Sequence, residues 1–119
     1  MFIADEPRIE KRRTLRGRCS EAVTFRSKDF QRQGGCVACD LSEEGIKISC
    51  EDFIPVNSEL ILQMKLERIP QVMDLTGQVV WAQRVPHAER YHIGIKFVGS
   101  DPLIKEDIRS YISHHQRQS

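Results

Sequence analysis

The sequence has little of what several functional classes require. Aromatic residues are 7% of its 119 residues, so it lacks the usual stacking platform of a nucleic-acid binder. A formal net charge of +1 excludes a globally basic nucleic-acid-binding domain. No apolar run approaches the roughly 20 residues of a membrane span, and residues 1–7 lack the apolar core of a signal peptide. We therefore expect a cytoplasmic protein without a membrane span.

Recognisable catalytic and metal-binding patterns are also missing. Ser42 has no neighbouring histidine, and no nucleophile, base and orienting acid stand at a known spacing, so an enzyme is not expected. Cys36 and Cys39 form a CxxC, but a zinc site needs about four ligands, and neither a second CxxC nor a matching histidine pair is present. We interpret these cysteines as small buried residues in a reducing compartment, with a redox pair as the alternative. No metal or cofactor is expected.

What the sequence does contain is a series of short alternating segments. A chain of this length forms one domain with a modest core. Alternation of apolar and polar residues begins near Arg18 and recurs, separated by turn residues, to Val98. Six or seven short strands at this spacing indicate a small antiparallel β-barrel, closed or nearly closed. The predicted strands cover residues 19–25, 36–41, 46–50, 60–66, 72–83 and 90–98.

The two ends of the chain depart from the strand pattern. Ser100 or Asp101 can cap a helix that has Pro102 at its first position, and the apolar residues that follow recur at helical spacing. This C-terminal α-helix is expected to pack across one end of the barrel. Residues 1–17 have few apolar residues and much charge, so we expect a flexible basic N-terminal arm before a barrel and helix over 18–119.

The N-terminal arm concentrates positive charge. Against a single acid, Glu10, the segment 8–18 has six basic residues: Arg8, Lys11, Arg12, Arg13, Arg16 and Arg18. Such a cluster attracts anions, although many charge runs are only solvated tails. Arg12 and Arg16 stand at RxxxR spacing, with Lys11 and Arg13 as basic neighbours.

A second motif, Asp40-Leu41-Ser42-Glu43-Glu44-Gly45, supplies complementary groups. An arginine fork can meet O6 and N7 of guanine, and a second guanidinium can stack on the ring. The Asp40 carboxylate can hold such arginines or accept hydrogen bonds from guanine, and the Ser42 hydroxyl can reach a base or a phosphate. Gly45 suits a turn with positive φ or a ligand that lies against the backbone. With the basic arm, this set suits a guanine nucleotide.

Together, in this order, the two motifs resemble those of the PilZ domain, a small β-barrel receptor for the bacterial second messenger cyclic di-GMP. Arg12-xxx-Arg16 is similar to the family's RxxxR, and residues 40–45 are similar to its [D/N]xSxxG. Residues 77–81 and 91–98 are similar to its later strands. The resemblance implies that cyclic di-GMP is the ligand, bound as one molecule or as a stacked pair. It implies ligand-binding roles for Lys11, Arg12, Arg13, Arg16, Asp40, Ser42 and Gly45.

Trp81 and Gly94 are two further candidates for the ligand site. Gly94 is predicted on the outward side of the last strand, where a flat base could approach the sheet, and a β-bulge is the alternative. Trp81 belongs either to the core or to the wall of a base pocket.

Three hypotheses for function follow. In the first, cyclic di-GMP orders the arm and so changes the surface seen by an unidentified effector protein. The second is a small barrel that binds nucleic acid through its arm, against which the low aromatic content argues. The third is a ligand-independent protein-interaction module with the same fold, against which the intact motif residues argue. The sequence names neither the partner nor the pathway.

Overall fold

Six antiparallel strands and one helix make up the part of the chain that the structure, a computed structural model, describes: residues 16–29, 31–99 and 101–118. The predicted site residues Lys11, Arg12 and Arg13 lie outside the described residues. The elements are β1 (Arg16–Ser27), β2 (Gln33–Ser42), β3 (Gly45–Cys50), β4 (Glu59–Met64), β5 (Met73–Arg84), β6 (Tyr91–Phe97) and α1 (Pro102–Gln118).

The strands form a closed barrel in the order β1-β2-β3-β6-β5-β4. Closure comes from β1, which pairs with β2 along its length and with β4 over Val23–Ser27, where Ser27 stands opposite Leu60. The predicted mostly β fold, an antiparallel barrel with a C-terminal helix, is confirmed. The first strand begins at Arg16, slightly earlier than alternation suggests, so Arg16 and Gly17 belong to the barrel wall.

Alternating side chains fill the barrel. In β4, Leu60, Leu62 and Met64 are buried, while Glu59 and Gln63 are exposed. This is the period of two that a strand with one face in a core requires. Burial of each such apolar side chain stabilises the fold by about 1.5–3 kcal/mol.

The helix α1 closes one end of this core. Ile108, Tyr111 and Ile112 are buried, and the helix lies against β1 and β2. Its start is capped by Asp101, whose carboxylate accepts a hydrogen bond from the backbone N–H of Leu103 at 2.8 Å. The prediction that α1 packs against an end of the barrel is therefore confirmed. Within the described residues, no helix combines the length and apolar character needed to span a membrane.

Candidate functional site

A row of directly paired residues crosses five strands on the outer wall of the barrel. Arg18 of β1 stands opposite Asp40 of β2, Asp40 opposite Lys47 of β3, Lys47 opposite Gly94 of β6, and Gly94 opposite Trp81 of β5. Directly opposite residues place their side chains on the same face of a sheet. We call this set the Asp40 row. The row places Gly94 and Trp81, which are distant from Asp40 in the sequence, on the same outer face as Asp40.

A second row lies next to it, at the end of the barrel covered by α1. Gly45 of β3 stands opposite Lys96 of β6, and Lys96 stands opposite Gln78 of β5. At the other side of the β2–β3 turn, Ser42 is paired with Arg16 of β1. The last residue of RxxxR and the Asp-x-Ser-x-x-Gly motif are thus joined by strand register.

Five predicted site residues line one concavity between these rows. They are Asp40, Ser42, Gly45, Trp81 and Gly94. Arg16 is placed beside them by its backbone pairing. The structure therefore places together every predicted site residue that it describes, and their roles toward a ligand stay predictions.

The Ser42 hydroxyl organises the turn over residues 42–45, which we call the Ser42 turn. It accepts hydrogen bonds from the backbone N–H groups of Glu44 at 3.1 Å and Gly45 at 3.2 Å. It also donates to the carbonyl of Gly45 at 3.4 Å. Ser42 is buried, with 3% of its surface exposed. Its hydroxyl therefore satisfies the backbone of the turn, a common role for serine in tight turns.

The close approach of a neighbouring strand explains why residue 45 is glycine. This corrects one of the two explanations that the sequence suggested, a turn with positive φ. Its φ is not in the positive region, so a left-handed turn is not the cause. A Cβ at this position would instead collide with the backbone carbonyl oxygen of Ile95 in β6. A side chain here would therefore force β3 and β6 apart.

Gly94 is covered by the indole of Trp81, which corrects the idea of an open gap on β6. A Cβ on Gly94 would collide with Nε1 and Cε2 of the indole. The register of β5 against β6 shifts between Val79 and Trp81, so Val80 is the extra residue of a bulge in β5. Trp81 is consequently half-buried on the outer wall and lies outside the barrel core. The surface available to a ligand here is the indole rather than the backbone of Gly94.

Gly94→Ala should displace the indole of Trp81 and destabilise the protein by about 1–2 kcal/mol, within the usual range for overpacking. Because Trp81 is the chain's single tryptophan, its fluorescence reports the displacement directly as a red shift. In a Trp81→Ala background the Cβ has room, so the same Gly94→Ala change should cost much less. Equal costs in the two backgrounds would contradict the contact.

Three cations surround the motif residues and were not predicted as part of the site. Arg18 and Lys47 belong to the Asp40 row, and Lys96 belongs to the second row. Lys47 and Lys96 each stand two residues after a glycine of the site, Gly45 and Gly94 respectively. Residues two apart on a strand share a face, so this spacing was the available signal. Together these side chains add positive charge around Asp40, which favours an anionic ligand.

The two cysteines of the CxxC are not bonded to each other in this structure. All four cysteines are free thiols; Cys36 is buried, and its Sγ–H donates to the carbonyl of Val23 at 3.5 Å. Cys39 is half-buried and sits in a bulge of β2 against β3. Burial raises the pKa of Cys36 to about 12 and that of Cys19 to about 11. These thiols are protonated at neutral pH and are therefore poor nucleophiles.

We expect Cys36 to react with a thiol reagent at neutral pH far more slowly in the folded protein than in urea. The ratio of thiolate fractions alone corresponds to about a thousandfold. Because the folded-state pKa is raised, the protonated thiol's contribution to stability is present below the unfolded pKa and is lost as pH rises. Mass-resolved alkylation of folded and unfolded protein tests this. Rapid formation of a Cys36–Cys39 disulfide under mild oxidation would instead support a redox pair.

Metal binding has no support in the residues described. Between residues 16 and 118, leaving aside positions 30 and 100, no three side chains of His, Cys, Asp or Glu are arranged to hold an ion. The chemistry of the site is that of a polar, cationic surface with one aromatic wall.

A family model described as "PilZ domain" matches residues 10–114. A search of curated protein sequences finds no match. The fold is shared with the inhibitor of motility MotI (DgrA) of Bacillus subtilis, at a TM-score of 0.78 and 15% identity over 96% of this chain. It is also shared with the PilZ domain of YcgR from Escherichia coli, solved with c-di-GMP, at a TM-score of 0.70 and 14% identity over 91% of this chain.

The extent of these matches differs. The chain spans 93% of the YcgR domain but 57% of MotI. It also spans 54% of MrkH from K. pneumonia, with a TM-score of 0.70 and 16% identity over 97% of this chain. At these identities the similarity establishes a shared fold.

Proposed function

The chain belongs to the PilZ domain family, and on that premise we propose that it is a receptor for cyclic di-GMP, which binds on the outer wall of the barrel. One observation carries the proposal. The register of β1 against β2 sets Arg16 directly opposite Ser42, so the end of RxxxR adjoins the Asp-x-Ser-x-x-Gly turn. The c-di-GMP-bound PilZ domain of YcgR, which has this fold, supports the assignment of the ligand.

Within this proposal the described residues have distinct roles. The carboxylate of Asp40 accepts hydrogen bonds from guanine or fixes an arginine that does so. Ser42 holds the turn, and Trp81 offers an aromatic wall beside the base. Lys47 and Lys96 add positive charge near the phosphates.

The N-terminal basic residues complete the proposed site. We propose that Arg12 and Arg16, with Lys11 and Arg13 nearby, bind the guanines and phosphates from the side of β1. Charge-assisted hydrogen bonds, each about twice as strong as a neutral one, offset the entropic cost of ordering that segment. Its closure on the ligand would change the surface offered to an effector protein.

Titration calorimetry of the purified protein with cyclic di-GMP tests the proposed function and gives its stoichiometry. We expect saturable binding at micromolar concentrations, with no comparable binding of GTP or cyclic di-AMP. A single-stranded RNA is titrated at low and high salt as a further control, because affinity carried by phosphate contacts falls steeply with salt. Absence of binding to cyclic di-GMP, or equal binding to all the nucleotides, would contradict the proposal.

A further inference from the structure

Two consecutive acids of the Ser42 turn are paired with α1. Glu43 accepts two hydrogen bonds from Arg109, from Nε at 2.8 Å and from a terminal nitrogen at 2.9 Å. Glu44 lies 4.0 Å from Nζ of Lys105. Lys105 and Arg109 are four residues apart and so lie on the same face of the helix. The turn and the helix are therefore joined by two ion pairs, each with its acid on the turn and its base on the helix.

The pair between Glu43 and Arg109 has the geometry of a strong ion pair. It is bidentate, and only 18% of the Glu43 side chain is exposed. The hydrogen bonds from Arg109 lower the pKa of Glu43, so this carboxyl group stays ionised at neutral pH. The pair between Lys28 and Glu59 differs, since it has a single contact at 3.4 Å and both side chains are more than half exposed. Ideal fork geometry and partial burial make the Arg109 pair the more effective constraint.

This constraint acts on the backbone that defines the proposed site. Glu44 donates its N–H to the Ser42 hydroxyl, and its carbonyl accepts a hydrogen bond from the N–H of Phe97 in β6 at 2.9 Å. A shift of the two acids would therefore move Ser42 and Gly45 relative to β6. The two x positions between Ser42 and Gly45 thus have partners on α1.

The C-terminal half of α1 packs against β1, the strand that begins with Arg16 of the RxxxR motif. The hydroxyl of Tyr111 donates to a carboxylate oxygen of Glu21 in β1 at 3.0 Å. Ile112 lies against Gly17, where an added Cβ would come within 3.1 Å of its side chain. Gly17 directly follows Arg16. One helix therefore contacts both motif-bearing segments, the Ser42 turn and the start of β1.

We propose that α1 is energetically coupled to the cyclic di-GMP site and that Arg109 is a positioning residue, which holds the Ser42 turn in its binding geometry. The inference rests on the proposed function and deepens it. Coupling free energies are reciprocal, so an α1 that favours binding is itself stabilised on the barrel when the ligand binds. The helix is then a second route, besides the N-terminal segment, by which occupancy changes the protein surface.

A charge-reversal cycle at the ion pair tests the coupling. The variants are Arg109→Glu, Glu43→Arg and the double exchange, which restores opposite charges across the same contact. Lys28→Glu is the matched control, because it breaks an ion pair at the far end of β1. If Arg109→Glu lowers the melting temperature severely, Arg109→Gln removes the charge with a smaller perturbation.

Two readouts separate positioning from general stability. Calorimetry should show about fivefold weaker cyclic di-GMP binding for Arg109→Glu, at the lower end of typical coupling, with most of the affinity restored in the double exchange. Hydrogen exchange of the ligand-free protein should show faster exchange at the amides of Glu44 and Gly45. Amides of β4 and β5 should be unchanged, and Lys28→Glu should have neither effect.

The outcomes distinguish this inference from the proposed function. Unaltered affinity in Arg109→Glu, with a wild type that binds, would overturn the coupling and leave the receptor function intact. A wild type that ignores cyclic di-GMP would overturn the receptor function. In that event unchanged exchange at Glu44 and Gly45 would also overturn the positioning role, since that readout needs no ligand.

Discussion

Gly45→Ala should destabilise the barrel by about 3 kcal/mol, at the upper end of the range for overpacking. The added Cβ collides with the carbonyl oxygen of Ile95, which belongs to the backbone of β6 and cannot rotate away. The paired residues Gly45 and Lys96 begin the β3–β6 ladder, so relief of the collision requires loss of its first hydrogen bonds. The midpoint of urea unfolding measures the loss of stability.

Gly35→Ala is the matched control for this experiment. Gly35 also lies in a β-strand, but a Cβ there meets no atom within 4 Å. Alanine at this exposed position should leave stability unchanged or raise it slightly, because glycine weakens a strand interior. Equal unfolding midpoints for the two variants would show that the carbonyl of Ile95 leaves room for a side chain at position 45.

Arg12→Ala and Arg16→Ala should each reduce cyclic di-GMP affinity by about 100-fold or more. A hydrogen bond to a charged group contributes about 1.5–3 kcal/mol, and an arginine fork forms two. The melting temperature should change little. At Arg16 the reason is structural, because pairing with Ser42 is made by the backbone, which alanine retains. Calorimetry and thermal unfolding of the same samples measure the two quantities.

Lys28→Ala removes a positive charge at the other end of β1 and serves as the control for loss of net charge. It should bind the dinucleotide like the wild type. A large fall in melting temperature for Arg12→Ala or Arg16→Ala would mean that these arginines are structural. A chain without residues 1–15 that binds as tightly as the full chain would contradict the role of Arg12.

Much of the fold could be predicted because apolar and polar residues alternate along a strand that buries only one of its faces. In β4 and β6 every second residue is a buried apolar one, so inward residues such as Leu62 and Ile95 could be assigned from sequence. Alternation fails at bulges. The extra residue Val80 leaves the orientation of Trp81 undecided, because one inserted residue reverses the assignment of all that follow.

The site was accessible from sequence only where its residues belong to short motifs. Asp40 and Ser42 are five residues or fewer from Gly45, so their proximity needs no knowledge of the fold. The position of Lys96 beside Gly45 depends on the β3–β6 register, which local sequence does not specify. The pairing of Glu43 with Arg109 depends on the docking of α1 and had no sequence signal.

The closure of the barrel limits how another macromolecule can recognise this protein. Each of the six described strands has hydrogen-bonded neighbours on both sides. Along the paired stretches of these strands, a binding partner therefore finds no free backbone groups onto which it could add a strand of its own. Recognition of those paired stretches must read side chains on the curved outer surface. Binding to those stretches should accordingly be sensitive to single surface substitutions, because backbone hydrogen bonds cannot supply a sequence-independent share of the affinity there.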